Sequence, residues 1–244
     1  MKHILLAGDS IFDNKSYLKP DQLSVSQHLK SQMPSDKVSL LATDGAKISD
    51  IKTQIDNIPA DGTHLVISAG GNDALSHINI FNEPCGSIGY ALESLCTIRD
   101  EFDEQYWELI TLAQDKDIPL TLCTIYYPNF ANPYPFYLKA AAGLFQAVDS
   151  VRNSPINPMN LFNKRSQMSA QICAAEAVFN DVITFRANEL SIPLIDLRVM
   201  FYDEPGCYAS EIEPSHYGGE IIAEKIKTIV LEHDFNKGYS GVYV

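Results

Sequence analysis

The chain is poor in positive charge: 18 Lys and Arg stand against 31 Asp and Glu, a formal net charge of −13 over 244 residues. A surface this acidic repels polyphosphates and anionic headgroups, which argues against nucleic acid or a membrane face as a main partner. Cysteine is scarce and unpatterned. Cys85, Cys96, Cys123, Cys173 and Cys207 are odd in number and show no CxxC spacing, so they read as reduced core thiols of a cytoplasmic protein, not as a disulfide framework or a zinc site. Long apolar runs are missing as well. Nothing approaches the ~20 residues of a membrane-spanning helix, and Asp9 interrupts "MKHILLAG" before a signal-peptide cleavage site could follow. The expectation is a soluble, intracellular chain with no integral membrane segment. The glycine patterns that cradle phosphate, GxGxxG and GxxxxGK[ST], are absent, and Lys47 alone is a lysine close to the glycines of interest.

What is present is an alternation. Short apolar runs at Ile4–Ala7, Val38–Ala42, Leu65–Ala69, Leu120–Tyr126 and Leu194–Leu197 are bounded by Gly, Asp, Asn or Pro, and most lack period-two patterning, as buried parallel strands do. Helical patterns at 22–33, 48–58, 87–116, 166–190 and 218–233 separate them. In the acidic run "RDEFDEQYWELI", Phe102, Tyr106 and Leu109 form an inward face. This order predicts a five-stranded parallel sheet with helices on both faces, joined by right-handed crossovers, as one domain over 1–244. The irregular stretch 127–165 holds Pro128, Pro133, Pro135, Pro155 and Pro158, with a possible helix at 136–151. It reads as a long crossover or as a lid over the active edge.

Ligands of such sheets bind outside the carboxyl ends of the strands, so the chemistry should lie in the turns there. "GDS" with Ser10 follows the first strand, "TDGAKISD" with Gly45 the second, and "GGND" with Asn72 the third, while "YASEIEPSHYGG" leads into the last helix. A hydroxyl, a glycine N–H and an asparagine amide at one edge suit acyl transfer: the first attacks, and the others hold the oxygen that becomes negative. Ser10 as a plain helix cap and Asn72 as a plain turn residue are the structural alternatives. Asp9 and Asp73 are expected to fix turns through side-chain-to-backbone hydrogen bonds. The GxSxG elbow does not fit, because Phe12 occupies its last position.

Three such blocks, in order and at successive strand ends, resemble the SGNH or GDSL hydrolases, and the resemblance spans essentially the whole chain. It implies a flavodoxin-like α/β/α sandwich in three layers and a serine esterase mechanism without metal or cofactor on a small-molecule ester or thioester. The implied oxyanion hole is the Ser10 N–H, the Gly45 N–H and the Asn72 side chain. The fourth block departs from the family pattern Asp-x-x-His-Pro-Ser-x-x-Gly. Counting acid to base pairs Glu213 with His216. Anchoring on Pro214, Ser215 and Gly218 puts Glu213 at the histidine position and Ser210 at the acid position. The second register resembles a bacterial branch of the family that reads "IEPS..GG" here.

An imidazole titrates near neutrality and takes a proton readily, whereas an unperturbed carboxylate is a weak base for a serine. His216, at a helix start where the dipole disfavours imidazolium, is therefore the expected base. Glu213 is the second candidate, and His77, five residues after Asn72, the third. A binding protein that kept the pocket but lost its base, and an acyltransferase, are the rival functions.

Overall fold

The computed structural model describes residues 1–82, 84–129 and 158–244. The sheet is parallel throughout, in the order β2-β1-β3-β4-β5-β6. Its strands are β1 (His3–Gly8), β2 (Lys37–Leu40), β3 (His64–Ser68), β4 (Leu120–Cys123), β5 (Leu194–Ile195) and β6 (Val242–Tyr243). The expected five strands thus become six. The added β6 is two residues long at the sheet edge, too short for any sequence period to mark.

Side chains that alternate along β1 divide the interior into two cores. Leu5 and Ala7 join Leu65, Ile67 and Leu122 on one face. Ile4 and Leu6 join Val66, Cys123 and Ile195 on the other. The first face is covered by α2 (Ile48–Asp56), α4 (Ile88–Gln114) and α5 (Pro158–Glu189). The second is covered by α1 (Val25–Gln32) and α7 (His216–Glu232), which pack on each other. Two short helices, α3 (Gly71–Ser76) and α6 (Leu197–Met200), complete the set.

The acidic run lies on α4 with Phe102, Tyr106 and Leu109 buried, as expected. Helix α5 starts at Pro158, earlier than the expected 166, while the possible helix at 136–151 and most of the possible lid lie outside the described residues. The thiols divide: Cys123 and Cys207 are buried, but Cys85 and Cys96 are exposed and so are not core residues. Among the described residues, no helix is long and apolar enough to cross a membrane.

Strand β4 ends at Cys123 although the apolar run continues to Tyr126. Its partner β5 offers only Leu194 and Ile195. Beyond them, the Asn180 side chain takes over the neighbour's role. Its Oδ1 accepts from Ile125 N–H and its Nδ2 donates to Ile125 O, both at 2.8 Å. The order of strands reverses at β1, which lies between β2 and β3. A cleft is expected at the carboxyl ends of these strands.

Candidate active site

Ser10 stands two residues past the end of β1. The strand end is held by Gln54 of α2, whose Oε1 accepts from Gly8 N–H at 2.8 Å and whose Nε2 donates to Gly8 O at 2.9 Å. Asp9 Oδ1 accepts from Ile11 N–H at 3.1 Å, fixing the turn that presents Ser10. Asp73 makes the expected side-chain-to-backbone hydrogen bond, but to a distant turn: it accepts from Ile48 N–H at 3.2 Å and ties the third block to the start of α2. Asn72 Nδ2 donates to Ala46 O at 3.1 Å. One of its two amide hydrogens is thereby spent, and the other has no hydrogen-bond partner among the described residues. Gly45 adopts φ +80°, a left-handed conformation that favours glycine. Among the described residues, neither Ser10 N–H nor Gly45 N–H donates to a backbone carbonyl.

The fourth block meets Ser10 through Glu213. The serine hydroxyl donates to Glu213 Oε1 at 3.2 Å. Glu213 is 3% exposed, and its Oε2 has no hydrogen-bond partner among the described residues. Burial pushes the Glu213 carboxyl up to about 9, against the opposing effect of the Ser10 hydrogen bond, with Asp44 and Asp9 adding repulsion. Asp9 is raised to about 7, again chiefly by burial.

His216 is placed otherwise. It opens α7 as expected, behind the Ser215 cap whose Oγ accepts from Gly218 N–H at 3.0 Å. Its Nδ1, however, accepts from Leu23 N–H at 3.0 Å and lies 3.0 Å from His28 Nε2, with the two rings 4.5 Å apart. The ring is bonded to the segment that enters α1, and Ser10 has Glu213 in the position expected for the imidazole. Burial lowers the pKa of His28, and the neighbouring His216 lowers it further. Ser210 is buried, and its Oγ accepts from Ile212 N–H at 3.4 Å.

Several ties hold Glu213 in place. Ala209 N–H donates to Glu213 O at 2.8 Å and Ser215 N–H to Cys207 O at 2.7 Å, around an antiparallel bridge between Tyr208 and Pro214. Tyr126 donates its hydroxyl to Ile212 O at 2.7 Å. The fully buried Asn14, from "GDSIFDN", donates to Pro214 O at 3.0 Å and accepts from Val25 N–H at 3.1 Å. Gly218 lets α7 begin this close, because a Cβ there would lie 2.3 Å from Cys207 O. From the sequence, Asn14, Gln54 and Tyr126 have no assigned role at the site. All three act across long chain separations, and Asn14 alone carried a signal, its place inside the first block.

A cavity of about 100 Å³ opens beside Ser10 and Asn72. Its wall is mostly apolar, with Ile78, Phe81, Ile98 and Phe179 among its members. His77 also lines it. Among the described residues, Asp9 and Glu176 are the two carboxyl groups of the wall. Among the described residues, no cluster of three or more His, Cys, Asp or Glu is arranged to hold a metal ion.

No family model and no curated protein matches the chain. Solved structures do. One is a member of the lipolytic protein G-D-S-L family from Veillonella parvula, at 14% identity and TM-score 0.59, covering 95% of this chain and 100% of that one. An extracellular lipase from Streptomyces rimosus is similar at 15% identity and TM-score 0.59, over 92% and 98%. A psychrotrophic esterase from Pseudoalteromonas is similar at 11% identity and TM-score 0.55, over 95% and 98%. With its parallel sheet between two helical layers and these structural neighbours, the chain has the fold of the SGNH/GDSL hydrolases.

Proposed function

We propose that the protein is a serine hydrolase that cleaves an ester or thioester through an acyl-enzyme on Ser10, with Glu213 as the base. The observation that carries this reading is the hydrogen bond from the Ser10 hydroxyl to a buried carboxyl, beside an apolar cavity. In the first step Ser10 Oγ attacks the acyl carbon as its proton passes to Glu213. The carbonyl oxygen becomes an oxyanion, and Ser10 N–H, Gly45 N–H and the free amide hydrogen of Asn72 are its donors. Collapse breaks the bond to the leaving alkoxide or thiolate, which takes the proton from Glu213. Water then repeats the sequence: Glu213 receives its proton, and the acid leaves as Ser10 regains a hydrogen.

Burial answers the objection that a carboxylate is too weak a base. Raised to about 9, the Glu213 carboxylate binds a proton more tightly than an ordinary imidazole does. The same shift keeps most of it protonated at neutral pH, so turnover should favour alkaline conditions. That neutral carboxyl also supports the second reading, a binding protein that holds its ligand without cleaving it. A p-nitrophenyl acetate assay from pH 7 to 10, with Ser10→Ala as control, separates the two. Release that rises with pH and vanishes in Ser10→Ala supports the hydrolase, and no release at any pH supports the binder. An added alcohol acceptor reveals an acyltransferase by its transesterified product.

A further inference from the structure

Glu176 has no part in the chemistry above and lies in an unusual place. On α5, Ile172, Ala175, Glu176 and Phe179 share one helical face, and all four line the cavity beside Ser10. Ile172, Glu176 and Phe179 are 8%, 7% and 3% exposed. Such a position ordinarily carries Leu or Met. Here it carries a carboxyl whose Oε2 has no hydrogen-bond partner among the described residues. A buried polar atom left unpaired is costly, and one that lines a ligand cavity is free to be satisfied by what enters.

We infer that Glu176 is a specificity-determining residue, and that the cavity accepts an acyl chain bearing a hydroxyl, which hydrogen-bonds to its carboxyl. The assignment of the cavity to the acyl side rests on the hydrolase reading; the hydroxyl is argued from the cavity alone. An unsubstituted alkyl chain suits the isoleucine and phenylalanine wall but leaves Glu176 Oε2 without a partner among the described residues. An ammonium group would bring three donors to a wall in which, among the described residues, Glu176 and Asp9 are the only carboxyl groups, and Asp9 already accepts from Ile11 N–H. A hydroxyl brings one donor and two acceptor sites, and a single carboxyl can satisfy it. Burial raises Glu176 to about 8, so near neutrality it carries a proton. A neutral acid both donates to and accepts from a hydroxyl.

The test uses medium-chain methyl ketones, which carry the ester's carbonyl but no leaving group. Each is prepared unsubstituted and with one hydroxyl at successive chain positions. Calorimetry on the wild-type protein should find one position at which the hydroxyketone binds about tenfold tighter than its parent, the difference expected when an unpaired buried group gains its partner. In Glu176→Leu the preference should disappear and the parent ketone should bind at least as well. In Glu176→Gln, which retains a donor and an acceptor, the preference should persist. Equal binding across the whole series in the wild type means that Glu176 is satisfied by water alone and overturns the inference, whether or not either variant folds. A preference that survives in Glu176→Leu overturns it too. The acetate assay stands apart, because acetate has no chain to reach Glu176. A protein inert to acetate that still selects a hydroxyketone loses the hydrolase reading and keeps this one.

Discussion

The turns after β1 and β2 and the loop before α7 face the same serine but are built by different means. The first two present backbone N–H groups, and their geometry is set chiefly within the turn, by the Asp9 side chain and by a glycine at φ +80°, with Gln54 reaching Gly8 from a distance. The loop before α7 presents a side chain, and its position depends on residues far away: Asn14 is 200 positions from Pro214, and Tyr126 is 86 from Ile212. Backbone donors survive wherever the turn survives. A base is decided by which side chain the tertiary ties aim inward, and here they aim Glu213 at Ser10 and leave His216 bonded to Leu23.

The largest expected effect tests that contrast directly. Glu213→Gln keeps the shape and removes the proposed base, so kcat for p-nitrophenyl acetate should fall by roughly 10²–10⁴. His216→Ala should stay within about tenfold of wild type, because a group outside the reacting unit does not share its collapse. If the two variants exchange places, the imidazole is the base. A loss in His77→Ala as deep as that in Ser10→Ala would move the base to the cavity wall beside Asn72.

Next in size is Asn72→Ala. Losing one preorganised donor should lower kcat by roughly 10²–10³ and leave KM nearly unchanged. A fall under about threefold in an active enzyme would remove Asn72 from the oxyanion hole.

What was legible in the sequence follows the same division. The strand ends at Gly8, Ser68 and Cys123 lie within a residue or a few of where the apolar runs break, and Ser10, Gly45 and Asn72 fall in the turns beyond or beside them. Local composition marks these points because the chain must turn there, although Asn72, expected in the turn itself, lies in the first turn of α3. The fourth block carried both registers in its residues, and nothing local separates them. The choice is made by the Asn14, Tyr126 and Gly218 contacts, which exist only once the sheet is assembled. Glu176 had a weak local signal, a charged residue inside the Ile172–Phe179 apolar stripe. Without the cavity, that stripe reads as a solvated edge of α5.

A pH series sharpens the electrostatic side of the comparison. On the proposed mechanism turnover needs ionised Glu213, so kcat should climb about tenfold per pH unit below the plateau, levelling at about 9. Stability should move the other way. Glu213, Glu176 and Asp9 are raised in the fold to about 9, 8 and 7. Their neutral forms therefore favour the native state, fully so below the ordinary carboxylate range. That contribution is lost as pH rises from this range through the raised values. The midpoint of thermal unfolding should fall between pH 5 and 9, and Glu213→Gln and Glu176→Gln should each flatten the slope. A wild-type slope that rises over this interval would contradict the burial of these groups.

The smallest effect concerns how firmly the loop aims its carboxyl. Tyr126→Phe removes one hydroxyl and little else: the ring stacks on Phe201 at 4.3 Å and meets Tyr208 edge-on at 5.5 Å, contacts a phenylalanine keeps. What is lost is the 2.7 Å hydrogen bond to Ile212 O, one residue before Glu213. The net loss of such a bond is about 1 kcal/mol, a drop of roughly 2–4 °C in the unfolding midpoint for a chain of this size. A loosened Glu213 spends less time within reach of the Ser10 hydroxyl, so kcat should fall about two- to fivefold with KM steady, the sign of a group displaced from the reaction and not from binding. Wild-type kcat together with the lowered midpoint would make Tyr126 a structural tie alone. The position of Glu213 would then depend on Asn14 and on the bridge between Tyr208 and Pro214.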